Sequence, residues 1–224
     1  NILKTLKILG TGFDCASVNE IIEVRNISEL DSSNIIYANP AKSDFDLKYA
    51  RSRDIDLLTF DCEEDLWGIK RFHEKAELIL RIKVDDSSSR CKFNSKFGTK
   101  QSRIAKIFTA AKTAELNIVG VSFHVGSGCG DVKAYYTAIE KSREIFNTAK
   151  EYGYTLHILD IGGGFPGTDN VKITFEEIAE TINKAIDTFF NVTDFPEDSG
   201  LRIIAEPGRY FVAASHTLVL SIIK

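Results

Sequence analysis

The stretch Leu201-Arg202-Ile203-Ile204-Ala205-Glu206-Pro207-Gly208-Arg209-Tyr210 carries the clearest structural signal of the sequence. Its first four residues are typical of a short strand in a parallel sheet, and a carboxylate, a turn and an arginine follow at the strand's carboxyl end. α/β barrels bind ligands at this end of their strands, and phosphate sites often follow the last ones. Glu206 could neutralise a protonated ring nitrogen, Gly208 permits close backbone approach, and Arg209 can grip a phosphate with two parallel hydrogen bonds. A structural ion pair between the two charged side chains is the plainer interpretation.

Short apolar strands alternate with helical patterns along the chain, which predicts right-handed βαβ units and a parallel sheet. Thr174, followed by two glutamates, is typical of the start of the last helix. The predicted strands are Ile35–Asn39, Leu57–Phe60, Leu78–Ile82, Ile118–His124, Leu156–Ile161 and Ile203–Glu206. The predicted helices are Ala16–Ile27, Asp44–Arg51, Glu64–His73, Ser102–Ala114, Val132–Tyr152 and Phe175–Phe190.

These strands are fewer than the eight that close a (β/α)8 barrel. We nevertheless predict an α/β fold of the TIM-barrel type, incomplete at the N-terminus, because candidate ligand residues end several successive strands rather than two strands at one switch point. An open, doubly wound sheet is the alternative architecture. The apolar, β-branched stretch 217–223 is expected to open a second sheet.

The composition is that of a globular domain without a nucleic-acid or membrane partner. The 224 residues are 43% hydrophobic and 27% charged with a net charge of -4, and no apolar run approaches the roughly 20 residues of a membrane span. The cysteines are widely spread and form no C-x-x-C pair, so we expect reduced thiols in a cytoplasmic protein, with neither disulfides nor a metal site. They are Cys15, Cys62, Cys91 and Cys129. Methionine is absent even at position 1, so we expect the sequence to begin inside a longer protein.

A glycine triplet follows the predicted strand Leu156–Ile161, in the run Ile161-Gly162-Gly163-Gly164-Phe165-Pro166. Three glycines expose backbone N–H groups without Cβ atoms, so the loop can wrap a phosphate. It could equally form a plain tight turn. The run is not a G-x-G-x-x-G fingerprint, and no Lys-Ser/Thr pair follows it, which disfavours dinucleotide and P-loop sites.

A histidine ends the preceding strand, in the run Ser122-Phe123-His124-Val125-Gly126-Ser127-Gly128-Cys129. Its small neighbours leave room above the ring, so His124 could lie flat against an aromatic cofactor. The hydroxyl of Ser127 could then serve a phosphate or a lysine. A lone histidine is more often a hydrogen-bonded structural residue, and the small flanking residues are what weakens that interpretation here.

Two further motifs lie nearer the N-terminus. In Gly10-Thr11-Gly12-Phe13-Asp14-Cys15-Ala16-Ser17, Asp14 could cap a helix whose first turns carry Ser17 and Glu20. The run Tyr37-Ala38-Asn39-Pro40-Ala41-Lys42 ends the next strand, because Pro40 would break its pairing.

Together these motifs resemble the eukaryotic ornithine decarboxylases, which are fold-type-III pyridoxal-phosphate enzymes. The resemblance runs from Gly10 to the end of the chain and rests on GTGFDCAS, YANP-x-K, SFHVGSGC, LDIGGGFPG and IIAEPGRY in this order. It implies an alanine racemase-like (β/α)8 barrel, pyridoxal 5′-phosphate (PLP) as cofactor, and decarboxylation of L-ornithine to putrescine in polyamine biosynthesis. Residues 1–212 would form part of the PLP-binding barrel, and residues 213–224 the start of a C-terminal β-domain. The family also implies a homodimer, with antizyme as a candidate partner.

The resemblance implies roles for individual residues of this chain. His124 corresponds to the ring that stacks on the pyridine, and Glu206 to the carboxylate that keeps the pyridine nitrogen protonated. Asp14 and Glu20 match positions close to the cofactor lysine. The phosphate site is implied at Ser127, Gly164, Gly208 and Arg209, and Gly163 and Pro207 are also implied to bind the cofactor.

Two departures from the family pattern are expected to matter. The family's Schiff-base lysine would lie just before Asn1, and its substrate-contacting residues would lie beyond Lys224, so the chain alone is expected to be inactive. None of the lysines here stands in the Schiff-base motif. Where the family usually has an arginine near the cofactor, this chain has Lys92, which keeps the charge but lacks the bidentate fork. Arg90 lies close in sequence and could compensate.

A non-catalytic regulator of the antizyme-inhibitor type is the main alternative function, because such proteins resemble the decarboxylases but have a degraded cofactor site. The resemblance suggests a way to distinguish the two, since decarboxylases carry certain residue types that the inhibitors tend to lose. This chain has all of them, namely Asp14, Gly126, Gly128 and Arg209. Diaminopimelate and arginine decarboxylases share the glycine-rich and EPGR motifs, but GFDCAS and HVGSGC fit the ornithine enzymes better.

Overall fold

The computed structural model of the chain describes residues 2–27, 31–168, 171–217 and 219–221. Within these ranges, seven short strands form one parallel sheet in which each strand pairs with the next along the chain. The sheet curls into an incomplete barrel with helices on its outside, which confirms the predicted α/β TIM-barrel architecture. The strands are β1 (Phe13–Cys15), β2 (Ile35–Tyr37), β3 (Leu57–Phe60), β4 (Glu77–Arg81), β5 (Asn117–Ser122), β6 (Ile158–Asp160) and β7 (Arg202–Ile204).

Helices connect the strands and begin where the sequence offers caps. Thr174 Oγ1 accepts a hydrogen bond from Glu177 N at 3.2 Å, and the Glu177 carboxylate accepts one from Thr174 N at 2.8 Å. This capping box confirms the helix start predicted at Thr174. No helix in the described ranges combines the length and the hydrophobicity that a membrane span requires. The helices are α1 (Ile2–Ile8), α2 (Val18–Ile27), α3 (Asp44–Ser52), α4 (Glu63–Phe72), α5 (Ile104–Thr113), α6 (Lys133–Glu151), α7 (Phe175–Phe189) and α8 (Gly208–Val212).

The core has two parts, one on each side of the curled sheet. The larger part packs the apolar faces of the helices against the outside of the strands, and in α6 the side chains of Tyr135, Ile139 and Phe146 are buried there. The smaller part fills the concave side, where inward-pointing side chains of neighbouring strands meet. It consists of Ile36, Ala38, Ile79, Val119 and Ile158.

The sequence predicts six of the seven strands but misses β1. Asp14, for which a helix cap was one possible role, instead lies in the middle of β1, where it pairs with Ile36 of β2. The cap assignment is therefore wrong. A three-residue strand is too short to show an apolar period, whereas the acidic residue just before a helical pattern gives a strong capping signal.

The predicted second sheet is not seen among the described residues near the C-terminus. α8 ends at Val212, and residues 213–217 and 219–221 form no strand. Leu218 and residues 222–223 of the predicted strand lie outside the described residues. The assignment of residues 213–224 to a following β-domain therefore stays a prediction.

Candidate functional site

The carboxyl ends of the parallel strands form one rim, and charged residues of the motifs gather there. Arg81 ends β4, Asp160 ends β6, and Asp14 lies in β1. His124 and Glu206 follow β5 and β7 within a few residues. Because the strands all run in one direction, these side chains share one end of the barrel. Each of them affects the pKa of at least one other or is affected by it.

Asp14 is a carboxyl group that can hold a proton near neutral pH. Although Asp14 is exposed at the edge of the sheet, desolvation by the surrounding protein atoms, followed by the negative charges of Glu206 and Glu20, raises its pKa from 3.8 to about 8. The positive charge of Arg81 opposes this shift without cancelling it. Asp14 also borders an open cavity, so water or a ligand can reach the protonated group.

Asp160 and Glu206 form a second carboxyl pair, at the ends of β6 and β7. Desolvation raises the pKa of Glu206 well above its ordinary value, and the negative charge of Asp160 adds to the effect. Asp160 is fully buried, and desolvation raises its pKa to about 7 although its Oδ1 accepts a hydrogen bond from Gly162 N at 2.9 Å. The two groups therefore share a proton near neutral pH, and Glu206 is the one that holds it.

Arg81 supplies the positive charge of this cluster. Its charge opposes the raised pKa values of Asp14, Asp160 and Glu206. The guanidinium carbon lies 5.0 Å from the centroid of the Phe97 ring, which fixes the direction of the side chain. Three carboxyl groups around one guanidinium leave the rim able to accept a further positive charge.

His124 presents a neutral ring at the same rim. Burial, followed by the charge of Arg81, lowers its pKa to about 4. Its Nδ1 accepts a hydrogen bond from Gly126 N at 2.9 Å, so the neutral ring carries its proton on Nε2. Phe93 packs against the ring in a T-shaped contact with the centroids 5.0 Å apart. His124 is therefore uncharged and fixed in orientation at pH 7.

The glycine loop after β6 passes between His124 and Glu206. A Cβ atom on Gly163 would lie 2.6 Å from the carbonyl oxygen of Glu206 and 3.0 Å from Nε2 of His124, so a larger residue does not fit. Gly164 has a φ of 104°, and a Cβ atom there would lie 2.6 Å from the carbonyl oxygen of Gly126. The loop therefore touches the segments that follow β5 and β7 at the same time.

The residues predicted to hold a phosphate lie on three neighbouring loops of the rim. Gly164 lies against the segment before Ser127, and a Cβ atom on Gly167 would collide with the carbonyl oxygen of Arg209. Within the described ranges, the N–H groups of Gly163 and Gly164 and the hydroxyl of Ser127 make no hydrogen bond. Unbonded donors on converging loops are what an anion requires. The side chain of Arg209 is exposed at the start of α8.

A cavity of about 470 Å³ lies between β1 and β7, the two edge strands of the described sheet, and extends from Glu206 at the rim to Ile35, Leu57 and Arg202 at the amino ends of the strands. Apolar side chains of Ile36 and Ile204 line one part of it. The lining also includes the predicted site residues Asp14, Glu206, Pro207 and Gly208.

Glu20 and the YANP-x-K motif hold the end of β1 rather than line this cavity. The Glu20 carboxylate accepts a hydrogen bond from Ala16 N at 2.5 Å, and Asn39 Nδ2 donates one to the Ala16 carbonyl at 3.3 Å. Lys42 Nζ donates to the carbonyl of Asn39 at 2.5 Å and to that of Thr59. Desolvation lowers the pKa of Lys42 to about 7. The bonds at Ala16 hold the chain just beyond β1, and those of Lys42 join the segment after β2 to β3.

Sequence analysis did not single out Arg81 or Asp160, although each ends an apolar strand. A charged residue at the carboxyl end of such a strand is a signal that the sequence contains. Arg81 brings a guanidinium to the rim from β4. Lys92, where the family arginine was expected, is exposed. The effect of a lysine at that position stays a prediction.

Comparisons with known proteins identify the family of the chain. The family model of the pyridoxal-binding domain of pyridoxal-dependent decarboxylases matches residues 1–213. Ornithine decarboxylase of Mus musculus is 46% identical over 222 residues, which are 99% of this chain and 47% of that protein. Antizyme inhibitor 2 of Xenopus laevis is also 46% identical, with the same coverage. The chain thus spans about half the length of these curated relatives.

Solved structures of decarboxylases share the fold. The arginine decarboxylase of Paramecium bursaria Chlorella virus superposes with a TM-score of 0.85 at 39% identity, over 93% of this chain and 54% of that one. Ornithine decarboxylase of Entamoeba histolytica gives a TM-score of 0.80 at 33% identity, over 94% of this chain and 55% of that one.

The rim fits the cofactor of this family. Free backbone donors suit a phosphate, the neutral ring of His124 suits an aromatic face, and the excess of carboxyl groups suits a protonated pyridine nitrogen. The chain therefore belongs to the pyridoxal-dependent decarboxylases, of which it carries the pyridoxal-binding domain with PLP as its cofactor.

Proposed function

We propose that the protein containing this chain decarboxylates L-ornithine to putrescine, the entry step of polyamine biosynthesis. The observation that carries the proposal is the meeting of His124, Gly163 and Glu206 at one point of the rim. The neutral ring of His124 and the backbone of Glu206 both lie against Gly163 there, and Glu206 is the residue whose carboxyl group holds a proton. Identity to ornithine decarboxylases, 46% for Mus musculus and 41% for Schizosaccharomyces pombe, supports ornithine as the substrate.

Glu206 and Asp160 would manage the charge at the pyridine nitrogen. Bound PLP supplies an electron sink for the negative charge that remains at Cα when CO₂ departs. Glu206 would place its proton at the pyridine nitrogen and keep it there as the partner of an ion pair. The nearby Arg81 favours the ionised form of both carboxyl groups, which lowers the cost of that transfer.

The other rim residues would fix the position of the cofactor. His124, neutral because its pKa is about 4, would stack on a positively charged ring without repelling it. The phosphate would be held by the donors of Gly163, Gly164 and Ser127 together with Arg209. With both ends held, the reacting bond keeps one orientation to the ring, and orientation of this kind supplies a large part of enzymatic rate enhancement.

Asp14 would act on the reacting amine, and Glu20 would support the backbone beside Asp14. Asp14, with a pKa of about 8, can exchange a proton with an amine that enters the cavity. Glu20 would hold the backbone in place, because its carboxylate accepts a hydrogen bond from the backbone N–H of Ala16.

A CO₂-release assay on the full-length protein tests the proposal. L-Ornithine, L-arginine and L-lysine are each supplied with saturating PLP, and we expect ornithine to give the highest kcat/KM. A higher kcat/KM for arginine would identify arginine, and not ornithine, as the substrate. PLP binding without CO₂ release from any of the three would contradict a decarboxylase.

A regulator of the antizyme-inhibitor type is the second candidate, because antizyme inhibitor 2 of Homo sapiens is 43% identical to this chain. Gly126 and Gly128 argue against it, since their φ angles of 88° and 68° preserve the tight turn beside the phosphate loop. A regulator would bind antizyme and release no CO₂. Measuring both properties on the same preparation separates the two functions.

We further propose a cytoplasmic homodimer whose active sites are completed across the subunit interface, as the resemblance to ornithine decarboxylases implies. Sedimentation equilibrium at the assay concentration is expected to give twice the mass of one full-length chain. A fully active monomer at that concentration would contradict the proposal.

A further inference from the structure

Tyr135 brings a buried hydroxyl group to the back of the glycine loop, and the mechanism above does not use it. The residue lies in the first turn of α6 with no exposed surface, and its ring stacks on Phe165 with the centroids 5.7 Å apart. Its hydroxyl donates a hydrogen bond to the carbonyl oxygen of Gly163 at 3.1 Å. Burial raises the pKa of Tyr135, so the hydroxyl remains a neutral donor at physiological pH.

Because the peptide bond is planar, the hydrogen bond from Tyr135 to the Gly163 carbonyl also sets the direction of the next N–H group. The carbonyl of Gly163 and the N–H of Gly164 belong to one trans peptide and point in opposite directions. Tyr135 approaches from α6, so it holds the carbonyl toward the helix layer. The N–H of Gly164 therefore points away from α6, and in the described part of the chain it has no acceptor.

Close packing removes other orientations of this peptide. A Cβ atom on Gly164 would lie 2.8 Å from Oη of Tyr135 and 2.6 Å from the carbonyl oxygen of Gly126. The loop is thus held between α6 on one side and the segment after β5 on the other. Tyr135 is fully buried and its hydroxyl reaches the loop at the carbonyl of Gly163, so it acts through the backbone.

We infer that Tyr135 is a positioning residue that fixes the Gly163–Gly164 peptide for binding the phosphate group of PLP. The inference rests on the proposed function of the rim. Because Tyr135 acts through the loop and not on the reacting atoms, its loss should weaken cofactor affinity without changing turnover at saturating cofactor.

The test is Tyr135→Phe in the full-length protein, a change that removes one oxygen atom and keeps the ring. The Kd for PLP, measured by absorbance titration of the cofactor-free protein, is expected to rise about fivefold, which corresponds to about 1 kcal/mol. The kcat at saturating PLP should change by less than about twofold. Pyridoxal, which lacks the phosphate, should bind the variant and the wild type equally.

Tyr154→Phe is the matched control. Its hydroxyl also donates to a backbone carbonyl, that of Leu116 at 3.1 Å, but at the amino end of β5. This variant should lose a similar amount of thermal stability and keep the wild-type Kd for PLP. An unchanged Kd in Tyr135→Phe, or an equal loss for PLP and pyridoxal, would overturn the inference while the proposed function stands. A wild-type protein that binds no PLP would overturn both.

A second measurement needs no variant. In the wild-type protein, PLP binding should protect the amide of Gly164 from hydrogen exchange, because the phosphate supplies the acceptor that the fold does not. Pyridoxal should give no such protection. Equal exchange of this amide with and without PLP would contradict the inference.

Discussion

Glu206 keeps a proton near neutral pH because desolvation and the neighbouring Asp160 both disfavour its charged form. A ring nitrogen placed beside it can take that proton, and the resulting ion pair is stronger where little water competes. The task of Glu206 is therefore to stabilise charge that develops during the reaction. An interaction of that kind raises kcat more than it raises affinity.

Glu206→Gln should accordingly lower kcat by at least about tenfold and change the Kd for PLP by less than about threefold. The amide keeps the size of the side chain but cannot balance a charged nitrogen. Glu180→Gln, on the exposed side of α7, is the control and should change neither quantity. Steady-state kinetics at saturating PLP, with Kd from a separate titration, measure both. Unchanged turnover would remove Glu206 from the mechanism.

Asp14 should make the stability of the cofactor-free protein depend on pH. Its pKa is about 8 in the fold and 3.8 ordinarily, so the folded state binds the proton more tightly. The stabilisation is complete below about pH 4 and is lost as the pH rises through about 8. Urea unfolding of the cofactor-free protein at several pH values between 5 and 8 should show the free energy of unfolding falling with pH. In Asp14→Asn this slope should be smaller, and an identical slope would show that Asp14 is ionised in the fold.

Single residues differed in how well the sequence revealed them. His124 and Glu206 are recognisable because small residues and a turn surround them after a strand. Arg81 is less visible, since a charge at the end of a strand is common, and its role depends on carboxyl groups that are distant in sequence. Tyr135 is hidden altogether, because an aromatic residue on the apolar face of a helix predicts only core packing.

The apolar patterns of the sequence predict which helices and strands exist, but they do not predict the residues at which the elements end. The strands β2, β5 and β7 stop before the predicted residues because the segments beyond them turn to form the rim loops. Apolar character continues past the end of the strand, as at Val125, which is buried although β5 ends at Ser122. The apolar pattern of the sequence indicates which residues are buried, and buried residues continue beyond the hydrogen-bonded part of a strand.

Two glycines outside the rim give opposite predictions for these elements. Gly68 lies within α4, and an added Cβ would meet only Leu47 Cδ1, at 3.4 Å. Gly120 lies in β5, and an added Cβ would lie 2.5 Å from the carbonyl oxygen of Ile158 and 2.8 Å from its Cβ. Gly68→Ala should therefore stabilise the protein by up to about 1 kcal/mol through helix propensity. Gly120→Ala should destabilise it by about 2–3 kcal/mol, because β6 must move away from β5.

Urea unfolding of the two glycine variants at one pH checks these values. The pair is internally controlled, since both changes add the same methyl group. Equal effects of the two substitutions would show that the close approach of β5 and β6 is not maintained in solution.

At the scale of the molecule, the order of the strands decides where the site lies. Each strand pairs with its neighbour in sequence, so every loop that leaves a carboxyl end reaches the same rim. Local patterns predicted this arrangement because it needs only the alternation of strands and helices. The curvature that brings β1 and β7 to opposite sides of one cavity involves contacts distant in sequence, and no local pattern encodes it.

The position of the Schiff-base lysine is a question about the full-length protein. We predict that borohydride reduction of the PLP-loaded full-length protein attaches the cofactor to a lysine outside residues 1–224, since none of the lysines here stands in the family motif.

Lys42 is the described lysine to consider as a competitor, because desolvation lowers its pKa to about 7 and leaves part of it unprotonated. A covalent bond to the cofactor, however, would cost Lys42 its contacts to the carbonyls of Asn39 and Thr59. Peptide mapping should find Lys42 unmodified, and Lys42→Met should leave the labelling stoichiometry unchanged. Stoichiometric labelling of Lys42 with CO₂ release from ornithine would place the reactive amine within this chain and contradict the prediction.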